Sequence, residues 1–252
     1  MRKLGIVLGI LIVTVVGLTG SNPAWADDGA TVLITGANRG LGLEYAQQFA
    51  AKGYTVIGTA RNPAKAEALA KVADRVEQLD VADADSVEAL AKRLDGVGID
   101  ILINNAGIFE RQDVSIDAVD FDMMERTFAV NTLGPLRVTR ALLPNLRAGH
   151  RKLIVSMSSQ LGSIENSNGR WYAYRASKSA LNQFNKIWSV ELGPDGFTCV
   201  VVHPGWVRTD MGGPNATYGT EESVAGLVGV IEGLSKEDNG RFYDFQGEPI
   251  PW

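Results

Sequence analysis

Residues 31–42 read Thr31-Val32-Leu33-Ile34-Thr35-Gly36-Ala37-Asn38-Arg39-Gly40-Leu41-Gly42. The first five make a short, β-branched-rich apolar run, the pattern of a strand buried on both faces of a sheet. Glycines follow at once, and a helical pattern opens behind them over residues 41–52, with Gly53 as its C-cap. Glycine lets the chain turn tightly and lets backbone amides approach a bound anion, and the start of the following helix favours the same negative charge. Strand, glycine turn and helix in that order predict a dinucleotide pyrophosphate site; the competing reading is a purely structural turn.

The alternation continues outward. Residues 54–59 are apolar, 63–72 helical, 76–79 a short strand, 83–94 helical and 99–103 (IDILI) a strand. A long helical region runs to about residue 146, followed by a strand at 153–156, a helix at 171–192 and a strand at 197–202. Strands separated by helices imply βαβ units and a parallel sheet. Right-handed crossovers then give an α/β, doubly wound Rossmann-type sheet with helices on both faces. No linker, repeat or low-complexity stretch divides it, so a single domain is expected. Residues 221–234 are amphipathic and are expected to pack on the sheet or against another subunit.

Composition narrows the function. Of 252 residues, 45% are hydrophobic and 21% charged, which excludes a disordered chain and a polytopic membrane protein. The net charge of −5 offers no basic face to nucleic acid. Two histidines and one cysteine cannot build a Cys/His zinc site or an internal disulfide, so no metal is expected. At the N-terminus, Arg2 and Lys3 precede an apolar run over residues 4–20, and Ala24-Trp25-Ala26 then leads into Asp27. Residues 1–26 therefore read as a secretory signal peptide cleaved after Ala26, or as an uncleaved membrane anchor through residues 4–20. Residues 27–252 would then be an exported domain, periplasmic, secreted or membrane-anchored. The third reading is a misassigned start codon upstream of a cytoplasmic enzyme.

The end of the second strand bears on which nucleotide binds. An acid there usually holds the ribose 2′-hydroxyl of NAD. Thr59, Ala60, Arg61 and Asn62 stand in its place. Arg39 and Arg61 together suit a 2′-phosphate, so NADP(H) is preferred over NAD(H), unless both are merely solvated arginines. Asp80, after the third strand, either accepts from the adenine amino group or caps the next turn. Further on, Tyr174 and Lys178 lie four apart on one helix face. A lysine beside a phenol, helped by a positive nicotinamide ring, lowers the phenol pKa from about 10. Ser159 is placed to hydrogen-bond a substrate oxygen. Tyr172 lacks the lysine, since Ala176 stands four residues on. An amphipathic surface helix would show the same Tyr/Lys spacing.

Taken together, the glycine turn, Asn104-Asn105-Ala106-Gly107, Ser159, Tyr174 with Lys178, and His203-Pro204-Gly205 resemble the short-chain dehydrogenase/reductase superfamily, in order and from about residue 31 to residue 252. The stretches YAYRASKSALN (172–182) and HPGWVRTDM (203–211), with the ending Pro251-Trp252, are similar to its C-factor/carbonyl-reductase-like branch. The resemblance implies that Gly36, Gly40, Leu41 and Gly42 line the pyrophosphate, with Asn38 and Arg39 at the adenosine ribose-phosphate. It implies Asp80 and Val81 at the adenine, and Asn104, Ala106 and Gly107 at the adenine ribose. Asn131 would kink its helix and support a water leading to Lys178. The SSxxG phrase selects Ser159 over Ser156 and Ser158. Tyr174 would be the acid/base, and Lys178 would bind the nicotinamide ribose. Pro204, Gly205, Val207 and Thr209 would lie against the nicotinamide.

The activity so implied is hydride transfer between NADP(H) and a small-molecule carbonyl or alcohol, in a homo-oligomer (dimer or tetramer). The alternative is a non-catalytic or signalling member that keeps the fold. Residues 211–220 sit where the superfamily places its substrate loop, and their glycine, proline and asparagine content suggests a mobile lid. Phe109, Trp171, Trp206 and Tyr218 are candidates for an apolar substrate wall or for core.

Overall fold

The computed structural model describes residues 29–110 and 114–252. The expected signal or anchor segment therefore lies outside the described residues. Among those described, no helix is long and apolar enough to cross a membrane.

Seven parallel strands form one sheet: β1 (Thr31–Ile34), β2 (Thr55–Ala60), β3 (Arg75–Gln78), β4 (Ile101–Asn104), β5 (Leu153–Met157), β6 (Thr198–His203) and β7 (Phe242–Asp244). Their spatial order is β3-β2-β1-β4-β5-β6-β7. The chain direction across the sheet therefore reverses between β1 and β4, and a crevice opens there beyond the carboxyl ends of the strands. β4, β5 and β6 are buried throughout, as their continuous apolar runs require.

Two layers of apolar side chains cover the sheet. On one face α1 (Gly40–Ala51) and α8 (Thr220–Gly233) bury Tyr45, Phe49, Val224, Leu227 and Ile231. On the other, α3 (Ala84–Arg93), α5 (Gly134–Ala141) and α7 (Tyr172–Glu191) contribute Leu90, Val138 and Trp188. Residues 221–234 thus pack on the sheet, beside α1. Asp83 caps α3 by accepting from Asp85 N at 3.0 Å, a cap worth about 1 kcal/mol. Asp100 ties the sheet's amino edge: its carboxylate accepts from Thr31 N at 2.8 Å and His150 N at 2.7 Å.

Two expectations about the elements are corrected. Residues 63–72 make only a 3₁₀ turn, Pro63–Lys65, and a single helical turn, α2 (Glu67–Ala70). Ala66 and Leu69 anchor them to the core, Leu69 filling the space against Gly58. The region up to residue 146 is not one helix. It begins as a loop, because the amides of Asn105, Ala106 and Ile108 bond to side chains of Thr35 and Asn131. It then runs through α4 (Phe121–Phe128), a π-helical turn (Ala129–Leu133), α5 and α6 (Leu143–Ala148), where Pro144 interrupts the ladder. β7 has three residues, too few for a periodic signal.

His203 closes β6, buried, with Nδ1 lacking a partner among the described residues and its pKa lowered by burial to about 4. The unfolded chain binds a proton near pH 6.5 that the fold refuses until about pH 4, so stability falls as pH drops through that window. Between pH 7 and pH 5 the loss should be about 2 kcal/mol. Urea unfolding of His203→Gln should lack this part of the decline; an equal decline in both proteins would assign it elsewhere.

Candidate active site

The glycine turn lies at the β1 end of the crevice, held by close main-chain approach. Gly36 adopts φ +66°, and a Cβ there would stand 3.1 Å from Ala106 Cα. Gly42 is tighter: a Cβ would overlap Gly36 O and lie 2.6 Å from Asn105 Nδ2. Asn105 donates to Thr35 O at 2.9 Å and Gly36 O at 3.2 Å. Thr35 Oγ1 accepts from the amides of Asn105 and Ala106 at 2.9 and 3.0 Å. The turn after β1 is thereby bonded to the turn after β4. A cleft of about 570 Å³ lies over this junction, within the usual range for ligand sites.

Gly36, Asn38, Arg39, Gly40, Leu41, Gly42, Arg61, Asp80, Val81, Ala106, Gly107, Tyr174, Lys178, Pro204 and Thr209 all line the cleft. Asp80 Oδ1 accepts from Ala82 N at 3.0 Å, so this carboxylate caps its own turn at the cleft wall. Arg61 is exposed at the cleft edge. Arg39 is not free: it pairs with Asp210 at 2.8 Å across the mouth of the cleft. Both side chains are largely solvated, so the pair contributes only about 0–1 kcal/mol.

Three expected cofactor residues do not line the cleft. Asn104 points into the core and donates to Thr139 Oγ1 at 3.1 Å, because the outward turn begins one residue later. Asn105, the next residue of the same phrase, is the asparagine that organises the glycine loop. Gly205 is at φ +79°, with the Tyr218 ring where a side chain would project. Val207 is buried and bridges Tyr218.

β5 and α7 bring the acid/base candidates together. Ser156 is buried and accepts from Asn185 Nδ2 at 3.0 Å, and the buried Ser158 hydroxyl has no partner among the described residues. Of the three serines, Ser159 is the one whose hydroxyl acts on the Tyr174 phenol, favouring its ionised form. Its Oγ also accepts from Leu161 N at 3.1 Å. Lys178 Nζ donates to Met157 O at 2.7 Å and lies 5.7 Å from the Tyr174 ring centroid. Asn131 lies in the π-helical turn. Its amide brackets Ile108, accepting from Ile108 N at 2.8 Å and donating to Ile108 O at 2.9 Å, and also donates to Ser177 Oγ at 3.2 Å. Met157 carries no functional signal in the sequence, since its contribution is a carbonyl.

The electrostatics differ from expectation in one respect. Burial raises the Tyr174 phenol to about 12, with only the Ser159 hydrogen bond pulling it down. Burial also lowers Lys178 to about 8. The ammonium is turned to the Met157 carbonyl, and desolvation outweighs its pull on the phenol. Tyr174 is accordingly protonated at neutral pH, and Lys178 is charged there but near its titration point.

Of the wall candidates, Phe109 packs on Tyr174 with the rings tilted by 40° and centroids 4.5 Å apart, and Trp171 meets Phe109 edge-on at 5.6 Å. Tyr218 packs on Phe245 in the core, and Trp206 is half-exposed with Nε1 bonded to Gly212 O at 2.9 Å. Residues 206–220 are more firmly tied than a loose lid: Arg208 Nη1 donates to the carbonyls of Ala216 and Thr217 at 2.9 and 2.6 Å.

The profile described as short chain dehydrogenase matches residues 30–218. The chain belongs to the short-chain dehydrogenase/reductase family. Within it the chain stands in the C-factor/carbonyl-reductase-like branch of these oxidoreductases. It is 49% identical over 155 residues to the C-signal protein of Myxococcus xanthus, covering 61% of this chain and 93% of that one. It is 35% identical over 231 residues to a 1-hydroxy-2-glutathionyl-2-methyl-3-butene dehydrogenase of Rhodococcus sp., covering 88% and 100%. The solved NADPH-bound carbonyl reductase from chicken fatty liver superposes with a TM-score of 0.81 at 35% identity, covering 88% of this chain and 98% of that one.

Gly42→Ala tests the glycine cradle. The added methyl meets backbone, which cannot swing aside, so the loop must shift. A loss of about 1–3 kcal/mol in urea unfolding is expected, with at least a tenfold weaker response to dinucleotide. Unchanged stability and response would mean that the close approach is not needed.

Proposed function

We propose that this chain is an NADP(H)-dependent oxidoreductase acting on a carbonyl/alcohol pair, with Tyr174 as acid/base, Ser159 holding the substrate oxygen and Lys178 holding the nicotinamide ribose. The single observation that carries this reading is Tyr174 with the buried Lys178 ammonium 5.7 Å from its ring, both lining a dinucleotide-sized cleft, with Ser159 acting on the same phenol. The cradle at Gly36 and Gly42, where no Cβ fits, suits a pyrophosphate resting against main chain and the start of α1. Arg39 and Arg61 at the far end suit a 2′-phosphate, which gives Arg39 a doubly charged partner in place of the solvated Asp210 carboxylate.

The nicotinamide, when bound, supplies or takes the hydride. Tyr174, held protonated by burial, donates its hydroxyl proton to the oxygen that gains charge in reduction. Ser159 Oγ already accepts from Leu161 N, which frees its own proton for that oxygen. Lys178, charged below about pH 8, opposes the burial of negative charge on the phenol as the proton leaves. Phe109 and Trp171 keep water from the same edge of the site.

Carbonyl-dependent NADPH oxidation should fall at least 100-fold in Tyr174→Phe while NADPH binding persists. In the wild type, kcat/KM for reduction should be level below about pH 8 and decline above it as Lys178 loses its proton. Lys178→Met should lack that break. Full activity in Tyr174→Phe would refute the assignment.

The 49% identity to C-signal favours a second reading, a signalling protein that keeps the nucleotide fold. A thermal shift separates the two. NADPH at 100 times its Kd should add about 2.7 kcal/mol, with NADH adding clearly less; no shift with either nucleotide favours the signalling reading. Residues 1–26 carry the export reading, and N-terminal sequencing of the natural protein tests it: a start at Asp27 marks cleavage.

A further inference from the structure

Arg175 directly follows Tyr174 on α7 and is buried. Among the described residues no carboxylate pairs with it, and burial lowers its pKa. Nη2 donates to Asn168 Oδ1 and Nη1 to Leu161 O at 3.4 Å, while Nε finds no partner among the described residues. A buried cation held only by neutral oxygens is a poor device for stability, since an apolar side chain of similar size is often as good or better there. What the guanidinium does hold is the turn that presents Ser159.

The contacts form a chain. The Leu161 carbonyl that accepts from Arg175 belongs to the same peptide group as Gly162 N–H. That N–H donates to Ser159 O at 2.8 Å and closes the 3₁₀ turn Gln160–Gly162. Charge on a peptide oxygen polarises the peptide and strengthens the opposite N–H as a donor. Inside this closed turn, Leu161 N donates to Ser159 Oγ at 3.1 Å and sets where the hydroxyl proton points. The same helix face clamps the turn twice more: Ser179 Oγ and Asn182 Nδ2 donate to Gly162 O at 2.9 and 3.1 Å. Gly162 has no room for a side chain, since a Cβ would stand 2.9 Å from Lys178 Cβ.

We propose that Arg175 is a positioning residue for catalysis: by gripping the Leu161 carbonyl it locks the turn that aims the Ser159 hydroxyl at the oxygen shared with Tyr174. This inference rests on the oxidoreductase reading for its kinetic consequence, though not for its structural one. Arg175→Met keeps the length and apolar stem while removing the grip. Expected are a kcat for carbonyl reduction lowered about tenfold, KM for NADPH unchanged, and exchange of the Leu161 and Gly162 amides at least tenfold faster, with global unfolding unaltered. Arg175→Lys, which keeps the charge and one donor, should recover part of both losses. Should Arg175→Met fail to fold, Asn168→Ala removes the guanidinium's other anchor and should speed the same two amides and lower kcat.

Unchanged amide exchange together with unchanged kcat would overturn the proposal. So would a loss of global stability with kcat intact, which would make Arg175 merely structural. Absence of carbonyl reduction in the wild type would count against the proposed function instead, and the amide exchange would still decide the role of Arg175.

Discussion

Where Gly42 would carry a Cβ, the carbonyl of Gly36 already stands, with the Asn105 amide beside it. The turn after β1 can fold back on the start of α1 only because that carbon is bare. Asn105 then stitches the turn to β4, the strand across the switch point, through Thr35 O and Gly36 O. Each strand of this junction supplies one wall of the cleft. The far wall, from β5 and β6, inherits its position through the sheet register that pairs Ile103 with Val155 and Val155 with Val200. A few ångströms of main-chain packing thus set the distance between the glycine turn and Tyr174 with Lys178.

The second constraint is dielectric. Tyr174, Lys178 and Arg175 follow one another on α7, and burial pushes each towards its neutral form. Among the described residues none is neutralised by an opposite charge; each is met by a hydroxyl, a carbonyl or an amide oxygen. Such a site responds strongly to whatever charge enters it, because little solvent is present to screen the change. The ligand-free protein therefore holds its proton on the phenol, and the cation near its titration point.

Charge at the mouth of the cleft works differently. Arg39 and Asp210 meet in solvent, where an ion pair is cheap to exchange. That pair joins the glycine loop to the segment after β6, and Thr209 lies 3.6 Å from where a Cβ on Gly40 would be. The two rims touch even though Arg39 and Asp210 are 171 residues apart along the chain, and only the folded sheet brings them together.

Local chemistry by itself determined much of this protein. The alternation of apolar runs and helical stretches dictated a parallel doubly wound sheet, because strands buried on both faces and their crossover helices each leave a periodic mark. The glycine turn and the Tyr174 and Lys178 that line the same cleft stood out by residue type and spacing, whereas Ser159 was singled out from its neighbours by the family resemblance. Tertiary structure decided what depends on direction and on main-chain atoms. Asn105 rather than Asn104 faces the cleft because the strand ends between them. Lys178 answers to the Met157 carbonyl, which no side-chain pattern records. Burial drives the Tyr174 phenol up rather than down, since desolvation is set by everything packed around a group and not by its neighbour four residues on.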